Sequence, residues 1–261
     1  MRESGTGFNN LHIWYYSLCM EFAKPEKYIA RVSDKYFVSE NERFLLVKFE
    51  LVKPDRIIFL AGQYASIQIN DKGERRSYSI ASTPDDNHGF QLLAEMMEKG
   101  AGSEFLKNIE IGATIEVVAP LGKFVIQQDT NSKLLFVATG SGIVPIWSMI
   151  NDLLINKHYQ QPVRLHWGMR SEEDVFWTDN LERLAEANPN FVFDLVLSSP
   201  SAEWELCSGH VQNCLIRDFG SLGLVEWDGY ICGNQEMVKE TVAVLKELKM
   251  NPDKIYYEKF V

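Results

Sequence analysis

Leu134-Leu135-Phe136-Val137-Ala138-Thr139-Gly140-Ser141-Gly142-Ile143-Val144-Pro145 is an apolar run, broken by two glycines and then resumed. Five consecutive apolar residues, Leu134 to Ala138, read as a strand buried on both faces. Gly140 and Gly142 lack the Cβ atoms that would obstruct a sharp turn or the approach of a phosphate to the backbone. A helix opening there presents free N–H groups, which favour an anion. Pro145 in its first turn loses no hydrogen bond. Taken alone, the stretch is either a dinucleotide cradle or an ordinary strand–turn–helix with packing glycines.

Its surroundings favour the cradle. Downstream, strand-like and helix-like segments alternate: 134–138, 143–155, 163–167, 180–187, 191–197, 211–219, 229–232, 236–248 and 254–257. Alternation of this kind implies a parallel sheet wound with helices. Upstream, short β-branched and aromatic segments at 29–38, 43–52, 64–69, 75–81, 90–96 and 114–119 are interrupted by one short helical segment at 103–109 and stopped by Pro120-Leu121-Gly122. Short, evenly spaced strands predict a closed antiparallel barrel. The polar run from Gln127 to Lys133 separates the halves. The expected organisation is therefore an extension over 1–24, a β-barrel domain over 25–128 and an α/β domain over 129–261.

Composition removes several function classes. The 261 residues are 46% hydrophobic and 24% charged, with a formal net charge of −10, which argues against a general nucleic-acid binder. Cys19, Cys207, Cys214 and Cys232 form neither a C-x-x-C pair nor an iron–sulfur run, and the five histidines are scattered. No metal site is expected. The cysteine usage fits a reduced, cytoplasmic protein. Leu134 to Ile150 is uncharged for 17 residues. A membrane span needs about 20, without glycines and a proline at its centre. The aromatic run Leu11 to Met20 lacks the charge pattern and cleavage site of a secretory signal.

A second motif, Arg76-Ser77-Tyr78-Ser79, lies in the barrel half. On a strand, Arg76 and Tyr78 share one face and Ser77 and Ser79 the other. A flavin asks for an aromatic face, an arginine for its phosphates and hydroxyl donors at the ring edge. An edge strand with an exposed Arg and Tyr is the plainer alternative. Gly100-Ala101-Gly102-Ser103-Glu104-Phe105-Leu106 offers a glycine turn into a helix with Ser103 near the N-cap, a second anion site or simply a capped helix. Cys232-Gly233-Asn234-Gln235 ends a strand of the second half, where strand ends line the ligand crevice. Cys232 there either touches a nicotinamide or is a small buried thiol.

Gln63-Tyr64, R-S-Y-S, G-x-x-S-x-x-L, P-L-G-K-F, G-S-G-I-V-P and C-G-N-Q follow one another in the order found in ferredoxin–NADP reductase-like flavoenzymes, and over about residues 27–261 the chain resembles that family. The resemblance implies a six-stranded antiparallel FAD-binding barrel followed by a parallel-sheet NAD(P)-binding, Rossmann-like domain. It implies that Tyr64, Arg76, Ser77, Tyr78 and Ser79 bind flavin: Arg76 at the phosphates, Tyr78 stacked on the ring and Ser79 hydrogen-bonding near N5. Gly102 and Ser103 would hold the pyrophosphate. Thr139, Gly140, Gly142, Cys232 and Gly233 would face the pyridine nucleotide, with Arg170 on its adenosine side. Glu258 would approach the reacting atoms and Phe260 cover the flavin; a merely solvated charged tail is the alternative for both. Ser79, Cys232 and Glu258 are the expected catalytic residues.

The resemblance favours FAD over FMN. Two positions depart from the pattern. The usual proline pair after Cys-Gly is Asn234-Gln235, and no arginine stands beside Ser198-Ser199, which weakly favours NADH over NADPH. The implied activity is hydride transfer from NAD(P)H to bound FAD, then electron transfer to a separate protein: ferredoxin, flavodoxin, an oxygenase component or a haem protein. The net negative charge does not favour an acidic ferredoxin. A flavin reductase that releases reduced flavin, and a cofactor-binding docking subunit, are the alternatives.

Overall fold

The computed structural model describes residues 22–96, 100–127 and 130–260. Residues 1–21, which make up most of the expected extension and carry Cys19, lie outside the described residues. So do Gln128 and Asp129 at the expected domain boundary.

Six strands build the first half: β1 (Glu26–Phe37), β2 (Phe44–Lys53), β3 (Tyr64–Gln68), β4 (Arg75–Ser79), β5 (Gly89–Glu95) and β6 (Thr114–Leu121). They are ordered β4-β3-β6-β1-β2-β5, every pair antiparallel. A bridge between Ile80 and Leu92 joins the two ends of the sheet and nearly closes the barrel. The helix α1 (Ala101–Asn108) lies between β5 and β6.

The second half is a parallel sheet of β7 (Lys133–Thr139), β8 (Val163–Met169), β9 (Phe191–Leu197), β10 (Cys207–Ser208), β11 (Trp227–Asn234) and β12 (Ile255–Phe260), in the order β10-β9-β8-β7-β11-β12. Its helices are α2 (Ile143–Asn151), α3 (Thr178–Ala187), α4 (Val211–Phe219) and α5 (Gln235–Glu247). From β7 the chain moves outward on one side through β8, β9 and β10, and β11 and β12 then fill the other side. The connections leaving β7 and β11 diverge, and the crevice between them is the switch point of the sheet.

Alternation of side chains assigns residues to cores. On β7, Leu134, Phe136 and Ala138 pack with α2 and α3, while Leu135 and Val137 pack with α4 and α5. On β2, Leu45, Val47 and Phe49 fill the barrel, while Phe44 and Leu46 join Leu93, Phe124 and the α2 face of the second half. β2 is therefore buried on both faces at its start, which explains its unbroken apolar run Phe44 to Val47. One hydrophobic core spans both halves. The Ser148 hydroxyl crosses the same seam to the Ser82 carbonyl, at 2.7 Å.

Three details depart from the sequence reading. The single helix expected over 143–155 ends as α-helix at Asn151 and widens into a π-turn over Asp152–Asn156, where Lys157 N–H bonds the Asp152 carbonyl and Lys157 Nζ meets its carboxylate at 2.7 Å. The two-residue β10 was not expected, because so short a strand carries no periodicity. β12 continues to Phe260, so Glu258 is strand-held and not part of a solvated tail.

Candidate functional site

A cleft of about 1230 Å³ runs along the seam between the halves. That exceeds the roughly 300–1,000 Å³ typical of one small ligand. Of the residues singled out from the sequence, Tyr64, Arg76, Ser77, Tyr78, Ser79, Gly102, Ser103, Thr139, Gly140, Arg170, Glu258 and Phe260 line it. Gly142, Cys232 and Gly233 do not: they form the layer behind the wall.

On the barrel side, β4 supplies the R-S-Y-S run. The Arg76 guanidinium donates to Glu74 Oε1 at 2.6 Å and to the Arg75 carbonyl at 2.8 Å. Burial pushes the Tyr78 phenol up to about 12, against the opposing charge of Arg76. The Ser79 hydroxyl is buried and has no hydrogen-bond partner. Such orphans are uncommon in folded proteins, and one at a cleft wall points to a ligand. A Cβ on Gly102 would fall on the Tyr78 hydroxyl, with Arg76 Cγ 2.8 Å away, so glycine lets the start of α1 close on both side chains. Ser103 is not the cap: Gly100 occupies that position and the Ser103 hydroxyl donates to its carbonyl at 2.9 Å. The glycine turn begins α1 earlier than a serine cap would have set it. Tyr64 pairs with Ser79 across β3–β4, and its ring lies where a Cβ of Gly122 would stand.

On the sheet side, β7 ends at Thr139 and Gly140 turns at φ +54°, in the left-handed region that favours glycine. A Cβ on Gly142 would fall against the Cys232 carbonyl oxygen, with the carbonyl carbon 2.6 Å and Gly233 N 3.0 Å away. The G-S-G turn is thus pressed onto the end of β11. Cys232 is 0% exposed. Its burial, and next the Glu258 charge, raise its thiol pKa well above the ordinary range. Glu258 stands beside Cys232 in the parallel register of β11 and β12, and burial pushes its carboxyl up to about 7. Asn234 caps α5, accepting Met237 N–H at 2.9 Å.

A charged bridge across the seam escaped the sequence reading. Arg43 donates to Glu95 Oε1 at 2.6 and 3.0 Å and to Asp174 Oδ1 at 3.2 Å. Ser141 of the G-S-G turn donates to Glu95 Oε2 at 3.1 Å. Arg43 and Glu95 meet because Phe44 pairs with Glu95 across β2–β5. Burial alone would raise the Asp174 carboxyl, but Asn41, Arg43 and the Ser171 amide hold it below the usual range. Arg43→Met should cost roughly 1–3 kcal/mol, because Asp174, its side chain 3% exposed, loses its cation. Urea unfolding at pH 7 checks this. A depressed carboxyl stabilises above its unfolded pKa, so the difference between wild type and variant should shrink as pH falls below about 4.

The likenesses to known proteins agree with this geometry. Residues 29–126 match the family described as oxidoreductase FAD-binding domain, and residues 136–243 match the oxidoreductase NAD-binding domain. Ferredoxin–NADP reductase B of Sorangium cellulosum is 33% identical over 198 residues, covering 74% of this chain and 81% of the relative. The anthranilate 1,2-dioxygenase electron transfer component of Acinetobacter baylyi is 32% identical over 204 residues, covering 78% of this chain. The matched region spans only 58% of that relative's length. The Amycolatopsis cytochrome P450 reductase GcoB superimposes with a TM-score of 0.83 at 25% identity, over 90% of this chain and 70% of that one. No helix among the described residues is long and apolar enough to cross a membrane. The chain belongs to the ferredoxin–NADP reductase-like family of FAD- and NAD(P)-binding oxidoreductases.

Proposed function

We propose that this chain takes hydride from NADH onto bound FAD and passes the electrons to a separate protein acceptor: a ferredoxin, a flavodoxin or an oxygenase component. The observation that carries the reading is the single cleft in which the R-S-Y-S strand, with its orphaned Ser79 hydroxyl, faces the G-S-G turn. FAD, when bound, supplies an acceptor of two electrons that can be released singly.

The chain's own residues then have distinct tasks. Arg76 exchanges Glu74 for phosphate, a charge-assisted pair of the same kind. Tyr78 and Phe260 offer ring faces, Tyr64 and Ser77 flank them, and the first amides of α1 at Gly102 and Ser103 receive the pyrophosphate. Ser79 donates its free hydroxyl at the flavin edge. Thr139 and Gly140 receive the nicotinamide half of the nucleotide, and Arg170 the adenosine half. Gly142, Gly233 and the inaccessible Cys232 set the depth of the floor. Glu258 holds a proton beside them below about pH 7.

NADH is favoured because no arginine stands beside Ser198-Ser199 to meet a 2′-phosphate; Arg170, which lines the cleft with Ser198, is the cation that would serve NADPH. The working units are 25–128 for flavin and 129–261 for nucleotide. The free thiols of Cys207, Cys214 and Cys232 support a cytoplasmic placement.

Purified protein should be yellow, carry about one FAD per chain through gel filtration, and bleach under anaerobic NADH. Colourless protein that takes up no added FAD contradicts the assignment. Flavin lost on the column but consumed in turnover indicates instead a reductase that releases it. In Glu258→Gln the neutral amide mimics the protonated carboxyl. The inflection near pH 7 in the rate of flavin reduction should therefore disappear, with the variant following the low-pH limb of the wild type. Stopped-flow reduction across pH 5.5–8.5 reads this directly.

A further inference from the structure

His166, Asp194 and Asp218 approach one another closely enough to hold a metal ion. The place of the cation is already taken, since Arg164 joins Asp194 at 3.0 Å and Asp218 at 2.7 Å. In the G-S-G turn, by contrast, three residues are held from three sides, and one of these holds crosses the seam. The Gly140 carbonyl accepts the indole N–H of Trp167, fully buried on β8, at 3.2 Å. Gly142 is pressed onto β11. Both contacts lie within the nucleotide half. Ser141 reaches the flavin half: among the described residues, its bond to Glu95 Oε2 is the turn's only side-chain hydrogen bond to the barrel.

Glu95 is built to fix what it holds. Its two oxygens are divided: Oε1 takes two N–H groups of Arg43, and Oε2 takes Ser141. A carboxylate caught by a guanidinium fork has little freedom to swing. The chain is tied there as well, with Met96 N–H on the Arg43 carbonyl at 2.7 Å. The same strand also carries the flavin side. Ile80, next to Ser79, bridges Leu92, and Ala81 N–H bonds the Gln91 carbonyl at 2.8 Å. Leu92 lies three residues before Glu95 on β5, about 10 Å along an extended chain. One short strand therefore joins the wall that holds Ser79 to the turn beside the nucleotide. Glu95 and Ser141 both line the cleft, and Glu95 Oε2 is 3.6 Å from where a Gly140 Cβ would stand.

We propose that Glu95 is a positioning residue: through Ser141 it sets the nucleotide turn at a fixed distance from the flavin wall, and so governs the rate of flavin reduction more than the affinity for nucleotide. The role rests on the oxidoreductase reading. Hydride transfer requires reacting atoms about 3–3.5 Å apart, and a displacement near 1 Å is costly. Losing the Glu95 carboxylate leaves Arg43 on Asp174, so no buried charge is stranded and the fold is kept. What is lost is the hold on Ser141, and the turn drifts from the barrel.

The test is anaerobic stopped-flow reduction of the full-length flavin-loaded protein over a range of NADH concentrations. Glu95→Ala and Ser141→Ala should each lower the limiting rate about tenfold, and the double variant no further, because both remove one bond. The NADH dissociation constant should stay within about twofold. Glu95→Gln should restore the rate to within about threefold of wild type, since its oxygen still accepts Arg43 and its amide donates to the Ser141 hydroxyl. Without nucleotide, the amides of residues 139–143 should exchange with deuterium faster in Glu95→Ala. A limiting rate near wild type in Glu95→Ala, or single losses that multiply in the double variant, overturns the proposal. So does a raised dissociation constant with an unchanged limiting rate, which makes Glu95 a nucleotide contact. Exchange needs no NADH. A wild type that NADH does not bleach contradicts the oxidoreductase reading, whereas unchanged exchange in Glu95→Ala contradicts the hold itself.

Discussion

Gly142→Ala should lower the rate of NADH-driven flavin reduction by about a hundredfold or more, consistent with the sensitivity of aligned reactions to displacements near 1 Å. The reason is space and not backbone preference, since Gly142 has ordinary helical angles (φ −60°, ψ −15°). Its missing Cβ faces the Cys232 carbonyl and the Gly233 nitrogen. These are backbone atoms of β11, the strand paired with β7, and no rotamer change relieves the contact. Relief requires the turn to lift off β11, carrying Thr139 and Gly140 with it. Overpacking of this kind costs roughly 1–3 kcal/mol of stability. Anaerobic stopped-flow with NADH measures the rate, and a thermal melt the stability. The barrel is untouched, so dithionite should still bleach the bound flavin. A reduction rate within about threefold of wild type would sink the argument.

Ser79→Ala should separate stability from chemistry in the opposite way. The Ser79 hydroxyl is buried without a partner, so the flavin-free protein gains nothing from it. Removing an unsatisfied buried polar group is neutral or mildly stabilising, by up to about 1 kcal/mol. The loss appears only when the hydroxyl has something to meet. A single preorganised donor at a reacting atom contributes about 10²–10³ in rate in comparable sites. Flavin reduction should therefore slow by at least tenfold and up to that range, while the NADH KM stays within a factor of about two. Differential scanning of the flavin-free protein and stopped-flow of the loaded protein together decide it. An apoprotein that melts earlier than wild type, with an unchanged reduction rate, would make Ser79 a structural residue.

The fold was legible wherever its cause is local. The buried run Leu134–Ala138, the two glycines after it and the change in hydrophobic period near residue 130 belong to short windows, and each marks an element that the structure contains. The R-S-Y-S strand and the glycine turn before Ser103 were legible for the same reason. Pairing register was not. Arg43 and Glu95 close strands 52 residues apart, and nothing in either neighbourhood says that they meet, or that Asp174 and Ser141 join them. From its residues alone Glu258-Lys259-Phe260 reads as readily as a charged tail, and only the family resemblance turns it toward the cleft, because an edge strand alternates exposed and half-buried side chains. Cys232 was placed correctly along the chain but lies behind the cleft wall. Its depth depends on Gly142 packing against its carbonyl, a contact between residues far apart in sequence.

The split allegiance of β2 has a consequence for how such proteins can be taken apart. Leu45 and Val47 face one way, Phe44 and Leu46 the other, and the second pair is covered by side chains from beyond residue 130. A fragment cut at the linker would therefore carry an oily flank of Phe44, Leu46, Leu93 and Phe124 and would self-associate. Shuffling the nucleotide lobe with that of a relative will succeed only if the graft brings matching counterparts of Val144, Ile146 and Met149. The recombinable unit is the whole two-lobed body, and the spacing between its lobes is inherited as a packing pattern, not as a linker length.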